Sequence, residues 1–289
     1  MLLNIMLQLW GWLFYSIFSL TQASPDYFTL LNPSNRTTDD PGFALNETIF
    51  QVSEELIYNV SYASIDIGQV RVKLLEKNLK DGRTSYHAIA YIDSYKRIPF
   101  VNLHAIYESI FDSSIYSTWF RSRKRMDSQS ELIVYSFDYP KHRMYIDFGT
   151  LETGKMNSRD SLTIDTLCQD GLSLFYFARA LLQSHTQPHI PTVVSEKKGN
   201  TYINFHGKRS SEEIDAIPYP VDVVHFDGEA DFVGIFGLTG AFEGWFSNDA
   251  ASIPILAKMK VLIGNIRIEL MEWKRDGWTP PRYSEEGNK

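Results

Sequence analysis

One cysteine, Cys168, occurs in 289 residues, so no disulfide can form within the chain. A chain of this length buries roughly three quarters of its unfolded surface and needs no such staple. Basic excess is missing too. Twenty-eight Lys and Arg stand against 35 Asp and Glu, net −7, and phosphate backbones need the opposite balance. There is no Gly-x-Ser-x-Gly, which removes the common serine-hydrolase elbow. Gly234, Gly237 and Gly240 lack the strand-then-helix setting and the downstream acid of a nucleotide loop, and read as turn glycines. Charge is absent from Met1 to Ala23, with Asp26 the first charged side chain. No cysteine follows that apolar run, so lipid attachment of the bacterial lipoprotein type is not expected.

What is present is apolar at the start and aromatic throughout. Residues 1–23 read as a secretory signal peptide with a small-x-small site at Thr21-Gln22-Ala23. An uncleaved N-terminal anchor is the alternative, since the run is long enough to span a bilayer. Residues 24–50 are rich in Pro, Asn, Asp, Ser and Thr and read as a flexible linker. Eighteen Phe, 16 Tyr and 6 Trp favour strands. Residues 51–274 are expected to form one β-barrel-like domain, and 275–289 a disordered tail.

Short alternating runs support that expectation. Leu56, Tyr58, Val60 and Tyr62 alternate with Ile57, Asn59, Ser61 and Ala63, the period of a strand, and a turn is expected around Ser64 to Gly68. Asp81-Gly82 and Pro140-Lys141-His142 mark further reversals. Strands are also expected near 86–91, 103–111, 119–125, 131–138, 143–148, 201–206 and 221–226. One helix interrupts them at about 170–183. Leu174, Phe177, Ala178, Leu181 and Leu182 recur at helical spacing behind an Asp170 N-cap. Leu172, Phe175 and Tyr176 make its other side apolar as well, so it should be buried. The fold class is therefore mainly β: a large antiparallel, partly open β-barrel or strongly curved sheet with one buried helix.

The closing hairpin is the sharpest local expectation. Gly264-Asn265 as a two-residue turn pairs Ile263 with Ile266, Val261 with Ile268 and Met259 with Leu270. The other face then pairs Lys260 with Glu269 and Leu262 with Arg267.

Three segments together carry a family resemblance. Glu54 to Val72 (EELIYNVSYASIDIGQVRV), Gln169 to Leu182 (QDGLSLFYFARALL) and Trp245 to Leu270 resemble, in order, the opening, central helix and closing strands of an exported bacterial family, domain of unknown function 3108 (DUF3108). The resemblance implies an exported, YmcC-like or lipocalin-like barrel with a helix across it. It implies no activity and no catalytic residues.

Chemistry is sparse. His185 and His189 lie four apart, but Pro188 and Pro191 place them in a loop without a third ligand, so no metal and no cofactor are expected. Cys168 precedes an apolar helix and reads as an inert buried thiol. Arg121, Arg123 and Arg125 share one face of a strand, beside Lys124 on the other, and can meet an anionic glycan, a lipid headgroup or the acids of a neighbouring strand. Tyr58, Tyr62, Tyr91, Trp119 and Trp245 can line a barrel interior or pack a core. The resulting expectation is a non-enzymatic, periplasmic or envelope-associated protein that binds a lipid or polysaccharide through these residues. The alternatives are a carbohydrate-active enzyme using Asp227, Glu229, Asp231 and Glu243, and a scaffold that docks a protein partner along a strand edge. Membrane contact is expected only through an uncleaved leader. Expression of the intact chain in an exporting host should give a mature mass beginning near Ser24; a full-length mass would favour the anchor.

Overall fold

The computed structural model describes residues 46–285, apart from 97, 99–101, 127–128, 232–239 and 261–264. The leader, most of the linker, the sequence around Pro99, Gly234 and Gly237, and Gly264 lie outside the described residues. Fourteen strands form one antiparallel sheet. They are β1 (Glu55–Tyr62), β2 (Ile65–Lys80), β3 (Arg83–Ser94), β4 (Leu103–Asp112), β5 (Ser117–Met126), β6 (Gln129–Asp138), β7 (Arg143–Gly149) and β8 (Met156–Thr163), then β9 (His189–Val194), β10 (Lys197–Glu212), β11 (Val221–Ala230), β12 (Gly240–Ser247), β13 (Pro254–Lys260) and β14 (Asn265–Lys274). Helix α1 (Gly171–Leu181) lies between β8 and β9.

The strand order is β8-β7-β6-β5-β4-β3-β2-β1-β14-β13-β12-β11-β10-β9. Each half is a meander, the first and last strands pair at the centre, and β8 and β9 are the free ends, so the sheet is not closed into a barrel. Among the described residues no helix is long and apolar enough to cross a membrane.

Local chemistry explains the reversals. Ala63-Ser64, Asp81-Gly82 and Ser195-Glu196 all hold positive φ at both positions, as tight hairpins with right-twisted strands require. The first of these ends β1 slightly earlier than the alternation suggested. Burial alternates along β1, with Leu56, Tyr58 and Val60 buried, and this inner face continues through Val72, Leu74, Ala88, Ala90, Tyr107, Phe120, Tyr135 and Ile146. At the other end Ile203, Phe205, Val224, Phe226 and Phe246 pack with Ala178, Leu181 and Leu182 at the end of α1. Helix α1 is capped by Asp170, whose carboxylate accepts from the Leu172 and Ser173 amides, while the Ser109 and Ser117 hydroxyls hold its other oxygen at 2.6 and 2.7 Å.

The closing hairpin has a different register from the expected one. Met259 faces Ile266, not Leu270, and Ala257 faces Ile268. The slip is even, so every side chain keeps its face, but the charges are re-paired. Lys258 now opposes Arg267, and the two cations turn to Glu243 and Glu269 respectively. The neighbours decide this. β14 is fixed against β1, and β13 is fixed against β12 by the 247–253 loop, where Ser247 and Ile253 exchange hydrogen bonds and Asp249 accepts from the Ala251 and Ser252 amides. A local turn preference does not outweigh two anchored strands.

The tail also departs from expectation over 275–285. Trp278 packs edge-on against Trp273 and donates to Asp249 at 2.8 Å, and Arg282 bridges to Val221. At the other end of the domain, Ile49 is fully buried and Phe50 stacks on Tyr86 at 4.0 Å, so the domain begins within the expected linker.

A buried ion triad joins these ends. Arg179 on α1 is fully buried and forks onto Glu54 at 2.6 and 3.0 Å; Arg275, just after β14, pairs with the same carboxylate. Glu54→Ala leaves two guanidiniums unmatched and should cost about 3–5 kcal/mol in urea unfolding, whereas Arg275→Ala leaves the Arg179 fork and should cost less. The reverse ranking would refute this account of the triad.

Between the free ends of the sheet, the β9–β10 turn reaches β6. The Tyr135 hydroxyl donates to Glu196 at 2.8 Å and accepts from its amide at 3.2 Å. Burial pushes the Glu196 carboxyl above its usual range; the Tyr135 hydrogen bond, with Lys124 and Lys197, offsets part of this, and Glu131 adds to it. Between the unfolded and the raised folded pKa the native state binds more protons, so this contribution to stability falls as pH rises through that window. Glu196→Gln keeps the acceptor and cannot ionise, so thermal melts across the window should show a flatter pH dependence. Equal slopes in the two proteins would contradict it.

Candidate functional site

The face turned away from α1 carries the polar chemistry, and strand alternation decides who is on it. On β5, Phe120 and Ser122 face inward, which sends Trp119, Arg121, Arg123 and Arg125 outward. β4 presents Glu108 directly opposite Arg121. Arg121 Nη2 donates to both Glu108 oxygens at 2.7 Å, Arg123 Nη2 donates to one of them, and His87 Nε2 stands 3.6 Å away. Glu108 is buried, which raises its pKa, but the Arg121 hydrogen bond and the charges of Arg121, Arg123 and His87 outweigh this and hold it below the usual range. One ionised carboxylate therefore sits between two guanidiniums. The Nε–H groups of Arg121 and Arg123 have no partner among the described residues, Arg121 lies over the Trp119 ring at 5.4 Å, and Arg125 is exposed. The neighbouring acid anticipated as one reading of this cluster exists, and it leaves the patch net positive.

The five aromatics do not line one interior. Tyr58 is in the core beneath α1, its hydroxyl without a hydrogen-bond partner among the described residues, and Tyr62 follows on the same face of β1. Tyr91 lies between the inward Ala90 and Ile92 and so joins Trp119 on the outer face. Trp245 is on the face opposite to Phe246, which packs toward α1, and it is itself buried, within a core cluster that also holds Ile214, Ile217, Val223 and Leu256. Parity divides them: the inner face takes Tyr58 and Tyr62 along with other aromatics such as Tyr107, Phe120 and Tyr135, and Tyr91, Trp119 and Trp245 fall on the opposite parity. Of the eight residues singled out, Tyr91, Trp119, Arg121, Arg123 and Arg125 share one region, and Tyr58, Tyr62 and Trp245 lie elsewhere.

A second outer cluster surrounds Trp245. Asp227 on β11 and Glu243 on β12 are opposed in register. Asn204 donates to Asp227 at 2.5 Å, and His206 Nε2 lies 2.7 Å from its other oxygen. Partial burial raises the Asp227 pKa, but these bonds and the charges of His206 and His225 bring it below its usual value. Lys258 Nζ is 3.6 Å from Glu243 and 4.6 Å from the centre of the Trp245 ring, and His225 lies 3.7 Å from Glu243. Asp231 is spent on the backbone and side chain of Asn200, and Glu229 is exposed.

His206 and His225 were missed in the sequence. The available signal was His225-Phe226-Asp227, since alternate residues on a strand share a face. His185 and His189 do not converge: His189 stacks on Tyr202, and His185 packs on Gly207. Burial raises the Cys168 thiol to about 11, consistent with an inert core residue.

Comparison with known proteins identifies the fold. A β-barrel-like protein of domain of unknown function 1849 from Brucella abortus superposes with a TM-score of 0.51 at 11% identity, over 78% of this chain and 98% of the other. A Bacteroides fragilis protein described as a putative exported protein with a YmcC-like fold gives only 0.30 at 7% identity, over 78% and 97%, and the fold likeness rests on the first structure alone. No curated protein matches the sequence. Residues 57–271, from within β1 to within β14, match the family described as protein of unknown function, DUF3108, and the chain belongs to that family.

Proposed function

We propose that this DUF3108 protein is a non-enzymatic, exported binding protein of the cell envelope, and that it holds an anionic polysaccharide on the outer face of β3–β5. The observation that carries the reading is the shared carboxylate. Arg121 and Arg123 spend their positive charge on the single Glu108, so the surface keeps a net positive charge beside the Trp119 ring and the exposed Arg125. Guanidiniums suit carboxylates and sulfates through forked hydrogen bonds, and an indole face suits the apolar side of a sugar ring. Strands hold these groups at fixed spacing. The acids Asp227 and Glu243 are each engaged by His or Lys neighbours, so the reading rests on binding and not on hydrolysis.

Calorimetric titration with acidic and neutral oligosaccharides of matched length tests it, with anionic lipid vesicles as a separate arm. Acidic chains should bind and neutral ones should not. Arg125→Gln, an exposed change, should weaken binding about tenfold, equivalent to about 1.4 kcal/mol. Equal affinity for neutral chains, or no effect of Arg125→Gln together with Arg123→Gln, would overturn the assignment. Binding confined to vesicles would replace the polysaccharide by a lipid headgroup.

A further inference from the structure

The second outer cluster contains a donor set that the anion-binding reading does not use. His206, His225 and Asp227 each offer one ligand atom, and all three atoms lie within 4.8 Å of one another. Their positions follow from the sheet. His225 and Asp227 alternate on β11, and His206 reaches them from β10 through a bulge. Phe205 faces Phe226 and Lys208 faces His225, so His206 and Gly207 are two extra residues on β10. Gly207 has φ +64°, and a Cβ there would run into the His185 ring. Glycine thus lets the strand bend and His185 close over it, and the bend sets His206 beside His225. Bulges are a common way to re-aim a side chain at a site.

The two imidazoles lie nearly parallel, at 9° and 5.9 Å between centroids. In this arrangement His206 is hydrogen-bonded to Asp227, and one nitrogen of each ring and an Asp227 oxygen stay within 4.8 Å of one another. Asn204 holds one Asp227 oxygen at 2.5 Å, which fixes the carboxylate's orientation as an outer-shell partner does in metal centres. Glu243, opposed to Asp227, comes within 3.7 Å of His225 and stands at the rim as a further oxygen donor. Lys258, the nearby cation, is drawn aside by Glu243 and the Trp245 ring.

We propose that His206, His225 and Asp227 form a binding site for a divalent transition metal of the zinc type. Two imidazoles and one carboxylate favour zinc over calcium or magnesium, which take oxygen shells. Zinc bonds of about 2.0–2.1 Å place tetrahedral donors about 3.3 Å apart, so modest rotations of the partly exposed His206 and Asp227 side chains bring the three donors to the ion. Three protein ligands leave a coordination position for water or a bound group.

Calorimetric titration of the metal-free full chain with zinc chloride tests this, backed by the visible spectrum of the cobalt(II) form. One equivalent should bind, with d–d bands of a low-coordinate nitrogen–oxygen site. His225→Gln and His206→Gln should each abolish the stoichiometric step and the bands. Asn204→Ala should weaken binding about tenfold. His189→Gln, on β9 and outside the cluster, should leave both unchanged. Melting curves without metal confirm that each variant folds, and zinc should raise the melting temperature of the parent but not of His225→Gln. Absence of saturable binding, binding that survives the His206→Gln/His225→Gln double change, or loss in His189→Gln would each overturn the site.

Discussion

One carboxylate, Glu54, carries the joint on which this sheet depends. It receives Arg179 from α1 and Arg275 from beyond β14. Arg179 also donates to the Ser252 and Ala251 carbonyls of the 247–253 loop, and Arg275 to those of Thr48 and Ile49. The approach to β1, the helix, the β12–β13 loop and the exit from β14 are thereby tied at one point. Charges at this depth are tolerated only when every partner is present, because each lone ion carries a desolvation cost of several kcal/mol. The joint is consequently conditional: it favours the native arrangement as a whole and gives little to any part of it. It also sits where the central β1–β14 pair needs help, since that pairing joins the two ends of the domain.

The two faces of the sheet divide the work. The inner face and α1 bury most of the aliphatic and aromatic residues, and Val223, Trp245 and Leu256 are buried on the other side, which makes the strands stiff supports. The outer face then displays groups at strand spacing. Arg121, Arg123 and Glu108 stand on the first half; His206, His225, Asp227 and Glu243 stand on the second. The β1–β14 pair lies between them in the strand order, so the two clusters are separate neighbourhoods on one support.

What the sequence made legible was local. Asp81-Gly82 forms the turn expected of it, Asp170 caps α1, and the alternation at Leu56, Tyr58 and Val60 faces the core as read. What it hid depended on distant partners. β8, with the sequence MNSRDSLT, has no apolar alternation because it is an exposed edge, and it becomes a strand through pairing with β7. The Glu54–Arg179 contact joins residues 125 apart. The β13–β14 register was set from outside the hairpin. In the candidate sites, the arginine face was readable from period two alone, whereas its partner Glu108 required the β4–β5 register. His206 required a bulge, which no periodicity announces.

The strand order has a consequence for how the chain comes to be folded. The free ends of the sheet come from the middle of the sequence, and the terminal strands of the domain meet at its centre. During synthesis β1 appears first and pairs with β2 on one flank, while its other flank waits for β14, the last strand made. Each meander grows by short-range hairpins, which cost little loop entropy. The one step that spans the whole domain is the joining of the two, and long-range closures of that kind are slow. Until the ten residues of β14 are made, the inner edge of β1 has no partner, and the strand order makes the end of the domain the piece that completes its centre.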